Sequence, residues 1–338
     1  MDSETVKNIY IISGVTGMTG NELARSLALP GNVVIGFDNF YASSIDTVAD
    51  ILDRAEFIFH EWDLDSAEQM RQLEADVRTL RAEHPEARVV YINCAAVVHT
   101  VHFYHVEETF TTNVLGMRAL LDQAIRVGAE AYMNCSTSEV YSMQSWNAEG
   151  GVRESDFLLL ATAEHSMRTS YATGKLMTEF FLKEAVDNGQ IRGCSIRFAN
   201  VYSKHERFAE HIIPHIIDQL LAGNEIRLLE NSRVNRRTFL HNYDSCRAVI
   251  ELMNTPEALD GTVYNVATDE EITIVDLAKK IAAKMGVGNP KIVFEGYRKS
   301  DPERRILSTE KIRTRTAWRP SMSLDQGLDL CLSTIDRS

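Results

Sequence analysis

Over the first two hundred residues, short runs rich in β-branched and aromatic residues alternate with longer amphipathic stretches, and this alternation limits the fold more than any other feature. The short runs are NIYIIS, NVVIGFD, EFIFHEWD, ARVVYINCAA, AYMNCSTS and GCSIRFANVY. Between them, SAEQMRQLEADVRTLRAEH and TFTTNVLGMRALLDQAIRVG place apolar residues at helical spacing, and the second ends at Gly128, which reads as a C-cap. Strand and helix in regular turn imply right-handed crossovers and a parallel sheet covered on both faces. After residue 200 the pattern changes. FAEHIIPHIIDQLLAG reads as a helix, ENSRVNRRTF as a loop, YDSCRAVIELMN as a helix, TVYNVA as a strand and TIVDLAKKIAAKMG as a helix. The expected fold class is α/β, a doubly wound parallel sheet with a smaller mixed α/β C-terminal lobe. Residues 1–200 form the sheet domain with a return segment near 234–254, and residues 201–338 form the second lobe, interwoven with the first because no long linker separates them.

Charge narrows the partners. The 338 residues include 35 basic and 48 acidic side chains, a net charge of −13, which disfavours a nucleic-acid surface because phosphate binding needs a basic stripe. An anionic ligand therefore needs a local basic site. The N-terminus MDSETVKNIYIISG lacks the charged and apolar regions of a signal peptide, and no apolar run reaches the length of a membrane span. Cys94, Cys135, Cys194, Cys246 and Cys331 are widely spaced and sit mostly inside apolar runs, as expected of buried thiols in a reduced, cytoplasmic protein.

The first strand runs straight into SGVTGMTGNELARSLAL, with Gly14, Gly17 and Gly20 spaced by three and three. Such glycines permit a sharp turn, let a pyrophosphate approach the main chain and bring the following helix close to the sheet, its N-terminus facing the negative charge. Alone the pattern also fits a tight strand-to-helix turn. Here a strand precedes it, a helix follows it, and Asp38 ends the second strand, which makes it the Rossmann dinucleotide fingerprint. A carboxylate at that place accepts from both adenosine ribose hydroxyls and repels a 2′-phosphate, so NAD is expected over NADP. Asp63 and Leu64 end the third strand where an adenine would lie, or serve there as a capping acid and a core leucine.

Further on, SYATGKLMTEFF places Tyr171 and Lys175 four apart on one helix face. With Thr137 at the end of the fifth strand, this pair suits proton transfer to and from a hydroxyl. A tyrosine is a poor base at neutral pH, but a neighbouring ammonium and an oxidised nicotinamide stabilise its phenolate.

The set resembles the extended short-chain dehydrogenase/reductase family, the NAD-dependent epimerases, dehydratases and decarboxylases of nucleotide sugars. The resemblance runs nearly end to end, through GVTGMTG, DLD, NCAAVVH, TTNVLGMRALL, STSEVY, YATGK, RFANVY, RRTFLHNYD, TVYNVAT and DPERRILSTEKI. It implies that Thr137, Tyr171 and Lys175 are catalytic and that Lys175 also holds the nicotinamide ribose. Met18, Thr19, Asn39, Ala95, Ala96 and Asn113 join Gly14, Gly17, Gly20, Asp38, Asp63 and Leu64 around the cofactor. Asn200 would hold the substrate diphosphate, Arg237 and Arg298 would neutralise it, and Ser138 and His99 would line the substrate cleft. Arg237 and Arg298 read equally well as surface charges. A homodimer is expected through TFTTNVLGMRALLDQAIRV and the Tyr171 helix. The chain departs from the family pattern at Ser142 and at NVYSK, where glycines are usual, at Val98, where serine is common, and at IRLLEN, where many relatives carry an aromatic residue.

Family chemistry begins with oxidation at sugar C4. Glu139, two places after Thr137, stands where dehydratases carry a base for C5, so a dehydratase or decarboxylase is the first expectation. A 4-epimerase, which needs no such carboxylate, is the alternative. A simple dehydrogenase or reductase of a small non-nucleotide substrate is a further one, and a loop carboxylate that only caps an amide is the bland reading of Glu139. Ser138 replaces the aspartate that would protonate a departing hydroxyl in dTDP-glucose dehydratases. His99, His102 and His105 lack carboxylate or thiol partners at metal spacing, so no metal is expected.

Overall fold

The computed structural model describes residues 5–141, 150–206, 208–223, 225–298 and 301–335; Ser142 lies outside them. The strands are β1 (Asn8–Ser13), β2 (Asn32–Asp38), β3 (Phe57–Glu61), β4 (Arg88–Asn93), β5 (Ala131–Thr137), β6 (Arg192–Phe198), β7 (Asn200–Tyr202), β8 (Glu225–Leu228), β9 (Arg236–His241), β10 (Asp260–Val266), β11 (Glu271–Thr273), β12 (Lys291–Phe294) and β13 (Arg304–Arg305). Seven of them form one parallel sheet in the order β10-β6-β5-β4-β1-β2-β3. All seven residues of β5 are buried, as in a strand covered by helices on both faces. The order reverses between β1 and β4, and the crevice above the carboxyl ends of such strands is where this architecture binds ligands.

Helices Met18–Leu27 and Asn242–Met253 cover one face, where Leu23, Val249, Leu252 and Trp318 meet Ile12, Val90 and Ile92. Ala67–Glu83, Met117–Arg126 and Thr169–Asp187 cover the other, packing Leu73, Val77, Leu120 and Leu182 on Ile9, Ile11 and Tyr91. A third core, built from Ile213, Ile216, Leu220, Leu277, Ile281 and Leu328, belongs to the smaller lobe. No helix among the described residues is long and apolar enough to cross a membrane.

Three details differ from the sequence reading. GCSIRFANVY holds two strands: β6 stays in the large sheet, whereas β7, one residue later, leaves it to pair with β9. ENSRVNRRTF is a loop only in its first half, since β9 begins at Arg236 between β7, β11 and β13. Partners of two and three residues leave no period to read, so only the assembled sheet identifies this strand. The return to the large sheet is also longer than 234–254, because β10 joins β6 as the edge strand and Ile312 and Trp318 pack into the core beneath.

Candidate functional site

The carboxyl ends of β1, β2, β4 and β5 open into a cleft of about 1820 Å³ that continues beneath the smaller lobe. Pockets for one drug-sized ligand span roughly 300–1,000 Å³, so this cleft has room for a dinucleotide and a second ligand together.

The cofactor half follows from local geometry. Gly14 has φ +67°, and a Cβ there would lie 2.6 Å from the Ala95 amide nitrogen; a Cβ at Gly20 would lie 2.2 Å from the Gly14 carbonyl oxygen. The helix can start at Met18 and present its N-terminus to the cleft only because both positions are bare. Gly17, Met18, Thr19, Ala95 and Ala96 border the same space. Asp38 accepts from the amides of Thr16, at 3.0 Å, and Phe40, at 2.9 Å. Phe40 is the one non-glycine residue with positive φ (57°) among those described, a strained conformation of the sort that persists where surrounding contacts impose it. Each carboxylate oxygen keeps further acceptor capacity, as a ribose diol requires. Asn39 donates to Asp63 at 3.1 Å, and Leu64 packs behind Gly116. These residues fit NAD. Asp38→Ala is expected to weaken NAD binding by about 10- to 100-fold, the worth of hydrogen bonds to a charged group, without a gain for NADP; calorimetry showing an unchanged dissociation constant refutes the assignment.

Asn113 has a different place. It is buried, does not border the cleft, and clamps the loop after β4 by accepting from the Val97 amide at 2.7 Å and donating to the Val97 carbonyl at 3.1 Å. It sits in a π-helical turn, Thr111–Gly116, and such an insertion re-aims a side chain within an otherwise regular helical run.

In the reacting half, Thr137, Ser138, Glu139, Tyr171 and Lys175 converge. The Thr137 oxygen accepts from the Glu139 amide at 3.1 Å, and its hydroxyl shares a hydrogen bond with Tyr171. Burial and then the Glu139 carboxylate push the Tyr171 phenol up from its ordinary pKa, and a hydrogen bond with Thr137 pulls it back. Lys175 does not pair with that phenol. Its ammonium donates to the Cys135 carbonyl at 2.8 Å, and burial lowers its pKa. Two of its three donors remain for a ribose. The helix carrying both residues is held by a buried ion pair, Glu179 to Arg197 at 2.6 Å; Glu179 also accepts from Ser136, and Arg197 donates to Tyr141.

Glu139 is not a free loop acid. Arg305 holds it through both carboxylate oxygens and Arg168 through one, at 3.2 Å. Burial opposes its charge, but Arg305, Arg168 and Arg237 outweigh burial and bring its pKa down to about 2. Arg237 is buried and paired with Asp301 at 2.8 Å; burial and Arg305 lower its pKa to about 10. Asn200 donates to the Thr238 carbonyl, and Arg298 is tied to Asn231 through its backbone. Asn200, Arg237 and Arg298 all border the cleft.

Arg168, Arg305 and Asp301 escaped the sequence reading, as did Phe103, which stacks on Tyr171 at 4.1 Å and lies under Arg168. The quoted DPERRIL held two of them without any sign of what they face. His99 stacks on Phe208 at 3.6 Å, with His102 and His211 nearby. Burial and the neighbouring His211 bring its pKa down to about 4, leaving a neutral ring.

Known proteins share this fold. The chain is similar to dTDP-D-glucose 4,6-dehydratase of Mus musculus, 23% identical over 94% of this chain and 86% of that protein. It is 24% identical to UDP-glucuronic acid decarboxylase 2 of Arabidopsis thaliana over 95% of this chain and 66% of that one. Its fold matches UDP-glucose 4-epimerase of Thermotoga maritima, with a TM-score of 0.80, 20% identity and 96% and 97% of the two chains covered. It also matches an NAD-bound dTDP-glucose 4,6-dehydratase of Streptomyces venezuelae, with a TM-score of 0.81, 22% identity and the same coverage. The pattern that defines one family spans residues 10–267, glycine loop, Thr137, Tyr171 and Lys175 included, and by that match the chain belongs to the NAD-dependent epimerase/dehydratase family.

Proposed function

We propose that this chain removes the C6 carboxylate of a nucleotide-diphosphate uronate as carbon dioxide, through a transient 4-keto sugar. The observation that carries the reading is the pair of guanidiniums around Glu139. Arg168 and Arg305 face one carboxylate, a net charge of +1, and each keeps a buried Nε–H without an acceptor. Unpaired buried donors at a site ask for a ligand, and a second carboxylate matches both the charge and the forked geometry.

NAD, when bound, supplies a hydride acceptor that is regenerated in each turnover. Tyr171 takes the proton from the C4 hydroxyl, and Thr137 holds that oxygen in line. With C4 oxidised, the C6 carboxylate is β to a carbonyl and leaves without any base: the C5–C6 bond breaks, its electron pair passes to the C4 oxygen as an enolate, and a proton from water restores C5 before hydride returns to C4. Glu139 then serves to orient the two arginines, which suits a pKa near 2, far below that of a base matched to neutral pH. Asn200, Arg237 and Arg298 hold the diphosphate, the local basic site that an acidic protein needs for such a ligand.

Dehydration of a nucleotide hexose is the second reading. It is favoured by the place of Glu139 two residues after Thr137 and by the dehydratases among the relatives. The test is mass spectrometry of products after incubating the NAD-loaded protein with UDP-, dTDP-, GDP- and CDP-linked hexoses and uronates. Loss of carbon dioxide from a uronate is the expected result. Loss of water from a hexose overturns it in favour of dehydration, and an unchanged mass with altered mobility in favour of epimerisation.

The reading includes a second copy of the chain. Phe110, Leu115, Met177 and Phe180 are between 44% and 61% exposed on the two helical segments expected to pair. Phe180→Glu is expected to raise the dimer dissociation constant about 30-fold or more, the cost of losing an interface anchor; sedimentation showing an unchanged state overturns the assignment.

A further inference from the structure

We infer that Cys94 and Cys135 form an oxidisable dithiol on the floor of the cleft, where hydrogen peroxide converts the two thiols to a disulfide and so weakens dinucleotide binding. Their sulfurs lie 3.6 Å apart. Asn93 pairs with Asn134 across β4 and β5, so Cys94, just past the end of β4, and Cys135, inside β5, are the next opposed positions. Neighbouring strands run ~4.7–4.9 Å apart, within the ~4.4–6.8 Å that a disulfide spans between Cα atoms. Side-chain rotation, with little backbone movement, can close the remaining gap. Both residues border the cleft, with Cys135 7% exposed and Cys94 more open than that.

The chemistry assigns each sulfur a part. The hydrogen bond shared with Cys94 favours the Cys135 thiolate, burial opposes it, and the Lys175 ammonium, held at the Cys135 carbonyl, favours it. The Cys135 thiolate attacks one peroxide oxygen; an S–O bond forms, the O–O bond breaks, and the departing oxygen leaves as water after taking up a proton. Cys94 then attacks the sulfenic sulfur, its proton goes to the leaving hydroxide, and a second water departs as the S–S bond forms. Two thiols lose two electrons and two protons, and one peroxide becomes two waters.

The consequence for binding is geometric. The space at Gly14 ends against Ala95 and the Cys94 carbonyl carbon, and Lys175 is held by the Cys135 carbonyl. Drawing the two sulfurs together pulls the end of β4, under the glycine loop, and the middle of β5, under the lysine.

The test treats the full chain with hydrogen peroxide, with and without saturating NAD, followed by non-reducing peptide mapping and calorimetry with NAD. The expected result is a Cys94–Cys135 crosslink with loss of two hydrogens, NAD affinity lowered about tenfold or more, recovery with dithiothreitol and slower oxidation when NAD is present. Cys94→Ala, with Cys94→Ser as a second variant, is expected to bind NAD equally before and after peroxide. Absence of that crosslink, a crosslinked protein that binds NAD as tightly as the reduced one, or variants that lose affinity as the parent does, each overturns the inference.

Discussion

Tyr171→Phe is expected to lower turnover by about 10²- to 10⁴-fold, the range for removing a positioned proton-transfer group, and to leave NAD affinity unchanged. The substitution deletes one oxygen and keeps the ring, which is 3% exposed and stacked on Phe103 with an interplanar angle of 7°. Packing is therefore preserved, and the loss reports chemistry. Steady-state rates on the accepted nucleotide sugar, with calorimetry for NAD, provide the check. Turnover within about tenfold of the parent removes Tyr171 from its role. The rate should also rise with pH as the phenol ionises. Because Glu139 raises the Tyr171 pKa, Glu139→Gln should move that rise to lower pH.

Glu139→Gln carries the second large effect, on stability. A carboxyl held at about 2 instead of its ordinary 4.5 contributes roughly 3 kcal/mol at neutral pH. Breaking a buried pair costs about 3–5 kcal/mol by a separate route, because the partner guanidiniums stay buried without a counter-charge. The sign follows from the depressed value. The parent holds the whole increment above about pH 4.5 and loses it progressively as pH falls toward 2, and the variant has none to lose. Denaturant melts at several pH values should show two curves well apart at pH 7 that converge in acid. A constant gap across that range, or no gap at pH 7, refutes the ion-pair account. The same variant separates the chemistries. An epimerase keeps C4 oxidation and product formation, a decarboxylase keeps the chemistry but binds its uronate more weakly because Arg168 and Arg305 lose their anchor, and a dehydratase stalls after oxidation and accumulates NADH.

The site was legible in the sequence wherever its parts lie within one strand-turn-helix unit. Gly14, Gly17 and Gly20 fall between a strand and a helix, Asp38 ends the next strand, and Tyr171 and Lys175 share one helix face. Each of these is a short-range relation that backbone geometry imposes and spacing reveals. Asn113 shows where that reasoning stops. Its position in TTNVLGMRALL implies, by resemblance, a place beside the cofactor, whereas its side chain in the π-helical turn bonds the backbone of Val97.

The sequence by itself determined the parallel α/β sheet, the dinucleotide loop and the helix face that Tyr171 and Lys175 share, because hydrophobic periods of two and 3.6 and the demands of a tight turn are local. Only the tertiary structure decided what Glu139 faces. Arg305 lies 166 positions away from it and Arg168 lies 29, and Cys94 reaches Cys135 only because β4 and β5 are neighbours. Ion pairs and thiol contacts of this kind leave no period along the chain. Strand order and the closing of the smaller lobe bring them together, and in a buried cleft, where a lower dielectric strengthens the attraction between opposite charges, that closeness makes Glu139 an anchor for two arginines.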